Sequence, residues 1–403
     1  MPDPMTPPAR LAIRDPRLDA FRGLALAMIF INHVPGTIFE HLTSRNFGFS
    51  DAAEGFVFMS GLAAALAYGP GLARAPRLPT VTRIWGRSWL LYMVHLLTAA
   101  WAIGIVSAAA LWFGAEEMLT KNAFRPLTEE PLAFLIGIVT LTHQLGYVNI
   151  LPMYAVLLLA APALIRLGQR RPIWLLAGSI GFWALVGTFR LNLPNYPFEG
   201  GWFFNPFAWQ LLFCLGILTG LAIRDGQRLV PVRRWMIWLA AGFLAFVLVW
   251  VKSQWLLEHL GHAIWQLREW GAPFWLVSFD KTYVSGPRLL HLLALAYLLS
   301  LPGPVPALAA SAAAAPLRLL GRHGLPVFAL GTVLAILAQA VKAICPASLW
   351  LDTALILGGL TLQLGFAALR DLLAPKKGAQ PAGAGKAAVA PAQASRWAAR
   401  PVR

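Results

Sequence analysis

Long apolar runs alternate with polar connections along most of the chain. A run of about 20 apolar residues is long enough for a helix to cross the hydrocarbon core of a bilayer. Ten runs of this kind are present, at residues 18–39, 52–69, 88–113, 147–167, 172–190, 206–223, 235–251, 287–302, 323–341 and 349–369. The pattern predicts an all-α polytopic membrane protein, a bundle of about ten transmembrane helices at residues 18–370, between an N-terminal segment 1–17 and a disordered tail 371–403.

Composition supports this class, and the basic residues predict an orientation. Hydrophobic residues make up 58% of the 403 residues, charged residues only 12%, and the mean hydropathy is +0.63; soluble domains carry about 25% charge. If the N-terminus is inside, 23 of the 33 basic residues fall in inner segments and nine in outer ones. Basic residues concentrate on the cytoplasmic side, so both termini are predicted to be cytoplasmic. The net charge of +16 then reflects topology, and nucleic-acid binding is not expected.

The first apolar run contains two ionisable residues, Arg22 and His33. Charged and titratable side chains inside a span are costly, so they indicate function by default. Eleven residues make about three helical turns, which puts both side chains on one helix face about 16 Å apart. The pair indicates a substrate path along this helix, with the chemistry at the His33 end.

Two carboxylates begin the second run, at the predicted depth of His33. Asp51 and Glu54 lie one turn apart on one face. A carboxylate beside an imidazole raises its pKa and fixes its tautomer, as a general base requires. We therefore interpret His33, Glu54 and Asp51 as catalytic, the alternative for Glu54 being a carboxylate in headgroup water. Ser60-Gly61 in the middle of this span is typical of close helix packing.

Arginines cluster at the opposite, inner end of the first run. Arg83 and Arg87 precede the third run, at the depth of Arg22. Guanidinium groups bind phosphates through charge-assisted, bidentate hydrogen bonds. The three arginines are therefore predicted to bind a phosphorylated donor. The alternative for Arg83 and Arg87 is ordinary positive-inside charge.

Other polar residues near the outer side are candidates for substrate binding. They share polar or aromatic side chains at or near the outer ends of the predicted spans: Asn32, Trp209, Gln210, Arg288 and His291. Asn32 is a candidate for stabilising an oxyanion, and a cation such as Arg288 suits an acyl carboxylate. The alternative for each is hydrogen bonding within the bundle. No pair of His with carboxylates has ligand spacing on one helix, so no metal site is predicted.

Two long outer connections carry apolar segments too short or too polar to cross. In residues 114–146, the stretch Pro131 to Leu141 predicts a re-entrant or surface helix. Residues 252–286 predict an amphipathic interfacial helix followed by a loop. Their aromatic residues suit the apolar faces of sugar rings, although an interfacial aromatic belt has the same composition.

Six segments occur in a fixed order along the chain: RLDAFRGLALAMIFINH, FGFSDAAEGFVFMSG, RIWGRSWLLYMVHL, LPMYAVLLLAAP, FNPFAWQLLFCLG and GRHGLPVF. These segments resemble the OpgC proteins, membrane enzymes that succinylate osmoregulated periplasmic glucans in Gram-negative bacteria. The resemblance covers residues 14 to about 370. The spacing of Arg22 and His33 also matches the Arg-x10-His pattern of the wider acyltransferase-3 group.

The resemblance implies an O-succinyltransferase of the bacterial inner membrane with no permanently bound cofactor. Acyl-CoA, with succinyl-CoA as the expected donor, reacts from the cytoplasm, and a periplasmic glucan is the acceptor. In this interpretation His33 removes a proton from a sugar hydroxyl, and the arginines bind the CoA phosphates. Two alternatives stay open: an O-acetyltransferase of another envelope glycan or lipid, and a non-catalytic glycan transporter or flippase. Acyl group, acceptor, oligomeric state and the choice between direct transfer and an acyl-enzyme are not readable from the sequence.

Overall fold

The computed structural model describes residues 15–374, and every named element in that part is helical. The predicted segment 1–17 lies outside the described residues except for its last three, and the predicted tail 371–403 except for its first four. The α-helices of residues 15–374, in chain order, are α1 (Pro16–Asn32), α2 (Ala52–Ala73), α3 (Leu78–Phe113), α4 (Glu117–Thr120), α5 (Pro126–Glu129), α6 (Pro131–Val139), α7 (Ile150–Arg170), α8 (Pro172–Phe189), α9 (Pro206–Arg224), α10 (Arg234–Lys252), α11 (Gln254–Glu269), α12 (Phe274–Val277), α13 (Gly286–Leu299), α14 (Pro304–Ala310), α15 (Ala315–Arg322), α16 (Gly324–Ile344) and α17 (Leu349–Leu373).

Eight of these helices are long and apolar enough to cross a membrane, namely α2, α3, α7, α8, α9, α10, α16 and α17. The pair α13 and α14, bent by 79°, makes a ninth if it counts as one span. Helix α1 is shorter, with 17 residues. The all-α polytopic class is therefore confirmed for residues 15–374, with eight or nine candidate spans beside the predicted ten. Which end of the bundle faces the cytoplasm stays a prediction.

The first span ends earlier than the sequence predicts. Helix α1 ends at Asn32, with His33 as its C-cap, instead of continuing to residue 39. Pro35 disfavours helical backbone at the residue before it, and Gly36 adopts a left-handed φ of 76°. Two short 3-10 helices, Ile38–Leu42 and Ser44–Asn46, follow. His33 therefore lies where the helix gives way to a loop, not in the middle of a span.

The third helix begins earlier than predicted. The sequence indicates a connection at residues 70–87, whereas α2 continues to Ala73 and α3 already begins at Leu78. Pro79 in the first turn suits a helix start. Helix α3 has 36 residues, about 54 Å, which exceeds the hydrocarbon core. Arg83 and Arg87 consequently lie on the helix itself, four residues apart and on one face.

Glycines bring α2 and α9 into backbone contact. A Cβ on Gly61 would lie 2.0 Å from the Phe213 carbonyl oxygen, and one on Gly216 would lie 2.1 Å from that of Phe58. Side chains at either position would push the helices apart, because small residues are what permit such a close approach. The packing role predicted for Ser60-Gly61 is confirmed for Gly61.

Helices α1 and α15 cross equally closely. A Cβ on Gly23 would lie 1.8 Å from the Leu317 carbonyl oxygen, and one on Gly321 would lie 1.9 Å from that of Asp19. The contact lies one residue from Arg22. It fixes the depth of the arginine within the bundle, since α1 cannot rotate or slide without a clash.

The two long connections each contain a helix where one is predicted. Helix α6 covers Pro131–Val139 and is nine residues long, too short to cross a bilayer. Helix α11 has no buried residue and exposes Trp255 and Trp265, as an amphipathic helix at a membrane surface does. The amphipathic helix predicted in residues 252–286 is present.

Candidate functional site

His33 is held at the end of α1 through its backbone and its ring. The Gln339 side chain of α16 donates a hydrogen bond from Nε2 to the His33 carbonyl oxygen at 2.7 Å. Asn122 donates from Nδ2 to Gln339 Oε1 at 2.8 Å. The Tyr147 ring packs on the imidazole with 4.5 Å between ring centroids. Three separate segments thus fix the position of one partly buried histidine.

Asp51 and Glu54 together cap the N-terminus of α2. Asp51 Oδ1 accepts from the Ala53 amide at 2.8 Å, and Glu54 Oε2 accepts from the Asp51 amide at 3.0 Å. This reciprocal arrangement is a capping box, which satisfies amide groups that the first helical turn leaves unpaired. Each carboxylate therefore has one oxygen engaged in starting the helix.

The other carboxylate oxygens pair with two cations from distant parts of the chain. Arg288 donates from Nε to Glu54 Oε1 at 2.7 Å and also from Nη2, and its Nη2 lies 3.7 Å from Asp51 Oδ2. Lys281 Nζ pairs with the same oxygen of Asp51. We call Asp51, Glu54, Lys281 and Arg288 the charged cluster. Its formal charges cancel, which a buried group of ions needs, since Glu54 is fully buried.

The charged cluster lies close enough to His33 for Asp51 and Lys281 both to act on it electrostatically. Burial favours the neutral form of Asp51, but the adjacent charge of Lys281 holds the pKa of this carboxyl below its usual value. The pairing with Lys281 therefore favours the anionic form of Asp51. Both charges act on His33, so the charged cluster lies toward the His33 end of α1.

The sequence predicts that a carboxylate fixes the tautomer of His33, and the described residues show no hydrogen bond that would do so. Among residues 15–374, neither Asp51 nor Glu54 has a hydrogen bond to the imidazole, because their oxygens are taken by the helix cap, Lys281 and Arg288. The imidazole of His33 packs against the Tyr147 ring instead, and Gln339 holds the His33 backbone.

At the other end of α1, Arg22 lines a cavity of about 220 Å³. Arg87 of α3 and Arg322 of α15 line the same cavity, and Arg22 packs against Gly324, where an added Cβ would meet its Cδ at 3.1 Å. Arg22 also lies 3.9 Å from Asp19, and Arg322 lies 2.7 Å from Asp371. Two of the three predicted arginines thus share one cavity, together with an arginine that was not predicted.

Arg83 lies at the edge of this cavity. Its side chain is exposed, and its guanidinium carbon lies 5.4 Å from the centroid of the Tyr68 ring, which lines the cavity. The cavity extends along α2 from Tyr68 to Phe56, a length of about 18 Å. Its basic end is at Arg22, and its other end points toward the level of the charged cluster.

The remaining predicted residues are engaged in packing contacts. Trp209 is fully buried and donates from Nε1 to the Lys281 carbonyl oxygen at 3.1 Å. Gln210 accepts from the Ser179 hydroxyl through Oε1 and donates to the Ser179 carbonyl oxygen from Nε2, and the two bonds join α8 to α9. Trp209 therefore positions the Lys281 segment, and Gln210 lies between two helices instead of in the charged cluster.

His291 and Asn32 hold the loops beside the site. His291 Nδ1 lies 2.7 Å from Ser50 Oγ, and a Cβ on Gly48 would clash with the imidazole. Asn32 Oδ1 accepts from Thr43 Oγ1 at 2.7 Å. His291 thereby fixes the loop that leads into Asp51, and Asn32 ties the end of α1 to the loop that contains Thr43.

Comparison with known proteins identifies a family for this chain. The family model described as OpgC protein matches residues 14–374, nearly the whole chain. The chain belongs to the OpgC family. No curated protein and no solved structure matches it. Membership supports a glucan-modifying membrane acyltransferase in general, and the family is bacterial.

Four residues of the candidate site were not predicted. They come from segments far in sequence from the α1 and α2 motifs, and they are Lys281, Gln339, Tyr147 and Arg322. One signal was available for the carboxylates: Asp51-Ala-Ala-Glu54 has the spacing of a capping box, which predicts that both are tied to the start of α2. Within residues 15–374 no group of three His, Cys, Asp or Glu side chains could hold a metal ion.

Proposed function

We propose that this OpgC family member transfers a succinyl group from succinyl-CoA, bound from the cytoplasmic side, to a hydroxyl of a periplasmic glucan. The observation that carries the proposal is the arrangement along α1. A cavity with three arginines lies at the Arg22 end, and His33 lies at the other end, about 16 Å further along the helix. Donor and acceptor are on opposite sides of the membrane, and a reaction between them needs such a two-ended site.

The basic end of the cavity suits the phosphates of CoA. Arg22, Arg87 and Arg322 are brought together around one volume, with carboxylate contacts from Asp19 and Asp371. Guanidinium groups bind phosphate oxygens in bidentate geometry. The pantetheine arm then follows α2 from Tyr68 toward Phe56 and brings the thioester toward His33.

His33 acts as the general base in the proposed reaction. It removes the proton from a glucan hydroxyl as that oxygen attacks the thioester carbonyl; the C–O bond forms and the C–S bond breaks. The proton then passes from His33 to the sulfur of the departing CoA. In this scheme the Asn32 amide group donates to the oxyanion.

Asp51 and Glu54 have a positioning role in this scheme. They keep Lys281 and Arg288 paired and fix the start of α2 next to His33. Lys281 also lies 5.9 Å from the centroid of the Phe203 ring, which is 45% exposed. An exposed aromatic face suits a sugar ring, so we assign acceptor binding to Phe203 and not to the buried Trp209.

One observation favours a second candidate, transfer of an acetyl group. The end of the cavity toward His33 is lined by Phe56, Ile150 and Phe328, and the cations among the described lining residues all lie at the other end. The carboxylate of a succinyl group would meet apolar side chains there, whereas an acetyl group would not.

The test is an assay in liposomes with succinyl-CoA or acetyl-CoA on the side of the basic cavity and glucan on the other. Mass spectrometry of the glucan identifies the group that is added. We expect His33→Ala to lower transfer by a factor of about 10² or more, as loss of a general base does, while His262→Ala on the exposed helix α11 keeps it. Full activity of His33→Ala would remove the base assignment. Glucan that crosses the membrane without gaining mass would indicate a transporter.

A further inference from the structure

Three helices, α1, α2 and α16, connect the basic cavity with the His33 end, and each carries buried residues between the two. On α2, the cavity is lined at Tyr68, Ala64, Ser60 and Phe56, positions that share one helical face. The next turn toward the N-terminus of α2 holds Ala52 and Ala53, both buried, which directly follow Asp51 in the chain. Phe56 is therefore the last large side chain on this face between the cavity and the charged cluster.

Helix α16 follows the same course. Gly324, Leu325 and Phe328 line the cavity, and Gln339 binds the His33 carbonyl at the other end. The residues between them on this face are Thr332, Ala335 and Ile336, all at most 2% exposed. The Thr332 hydroxyl donates a hydrogen bond to the Phe328 carbonyl oxygen of the same helix at 3.0 Å. This face of α16 is therefore apolar between the cavity and Gln339.

Helix α1 also contributes apolar side chains between the cavity and His33. Only Arg22 of α1 lines the cavity, and Leu26 and Ile29, which follow it on the face that carries His33, are buried. Phe56 and Phe328 meet across this gap with 6.5 Å between ring centroids. The space between cavity and His33 is thus filled by apolar side chains from three helices.

We propose that Phe56 and Phe328 form an apolar barrier that closes the basic cavity toward the His33 end. An open water path between the two ends would let ions cross the membrane, and hydrophobic constrictions block such paths by excluding water. What passes the barrier, the acyl end of a donor, rests on the proposed function. The existence of the barrier does not, since it follows from the packing alone.

The experiment measures from which side of the membrane a residue on the cavity side of the barrier can be reached. Ser60→Cys is introduced after the two native cysteines, Cys214 and Cys345, are replaced by Ala and Ser. Membranes of both orientations are treated with a small, anionic, membrane-impermeant methanethiosulfonate. The introduced thiolate attacks the reagent, forms a mixed disulfide and releases methanesulfinate, and mass spectrometry of the protein counts the product.

With Phe56 and Phe328 in place, we expect labelling from the side of the basic cavity only. In the Phe328→Ala background, labelling from the His33 side should rise at least tenfold, and Phe328→Leu, which stays large and apolar, should not allow it. Phe56→Ala serves as the second variant if Phe328→Ala does not accumulate. Leu111→Ala, an exposed residue of α3, controls for general loosening by loss of a side chain.

Labelling from both sides with the pair intact would overturn the proposal, and so would unchanged one-sided labelling in both alanine variants. Labelling from neither side would also overturn it, because the cavity would then have no open end. The measurement needs neither acyl donor nor glucan. A failure here therefore leaves the assay of the proposed function unaffected, and a failure of that assay leaves this result standing.

Discussion

The two ends of α1 handle charge in opposite ways. At the His33 end, two carboxylates and two cations neutralise one another, and Glu54 is buried with both carboxylate oxygens engaged. At the Arg22 end, three arginines line one cavity beside the carboxylates of Asp19 and Asp371. A saturated cluster holds a structure in place, whereas several cations around an open volume are suited to receive an anion. The comparison separates the positioning part of the site from the binding part.

The largest effect is expected when the saturated cluster is broken. Glu54→Ala leaves the Arg288 guanidinium, whose side chain is only 13% exposed, without its main partner, which costs up to about 3–5 kcal/mol. We expect a marked loss of thermal stability in detergent, measured by a melting assay on the purified protein. The double variant Glu54→Leu with Arg288→Met removes both charges and should be more stable than Glu54→Ala alone. Equal melting temperatures for wild type and Glu54→Ala would contradict the pairing.

A smaller effect is expected from a substitution in the basic cavity, which should weaken donor binding and leave folding unchanged. Arg87→Ala removes a proposed charge-assisted phosphate contact worth about 1.5–3 kcal/mol, so the KM for acyl-CoA should rise roughly 10- to 100-fold. The KM for glucan and the melting temperature should stay unchanged. Arg83→Ala is the matched control, because Arg83 lies one turn away but is exposed at the edge of the cavity. A similar rise in both variants would place the phosphates elsewhere.

The smallest effect is expected from the contact that positions His33. Gln339→Met removes the hydrogen bond to the His33 carbonyl, worth about 1 kcal/mol, and should lower kcat roughly fivefold without changing either KM. Asn122→Ala keeps that bond and removes only the support of Gln339, so its kcat should fall less. A change in the KM for acyl-CoA in place of kcat would assign Gln339 to donor binding.

The helical membrane class could be predicted from the sequence, and Arg22 and His33 could be singled out as a pair. Both inferences depend on local patterns. Apolar length identifies spans, and ionisable residues within them stand out. The partners of these residues were less accessible. Lys281 lies 230 positions from Asp51, in a connection without periodicity, and nothing local distinguishes it from other outer cations.

Boundaries were the weakest part, for the same local reason. Hydropathy extends span 1 through Val34 and Phe39, although Pro35 and Gly36 end the helix. The polar run around Arg83 and Arg87 indicates a connection by hydropathy, although it forms the first turns of α3. In both cases backbone preference, and not hydropathy, determines where the helix begins or ends.

The glycine contact between α1 and α15 has a consequence for the rate of turnover. Gly23 and Gly321 leave no space for α1 to shift against its neighbour, so Arg22 and His33 move as one rigid unit. We expect passage between them to depend on rotation of individual side chains, which takes picoseconds to nanoseconds when exposed and longer when packed, and not on displacement of α1, which would take microseconds to milliseconds. We expect turnover to be limited by chemistry or by product release, with no slow conformational cycle between the two ends of α1.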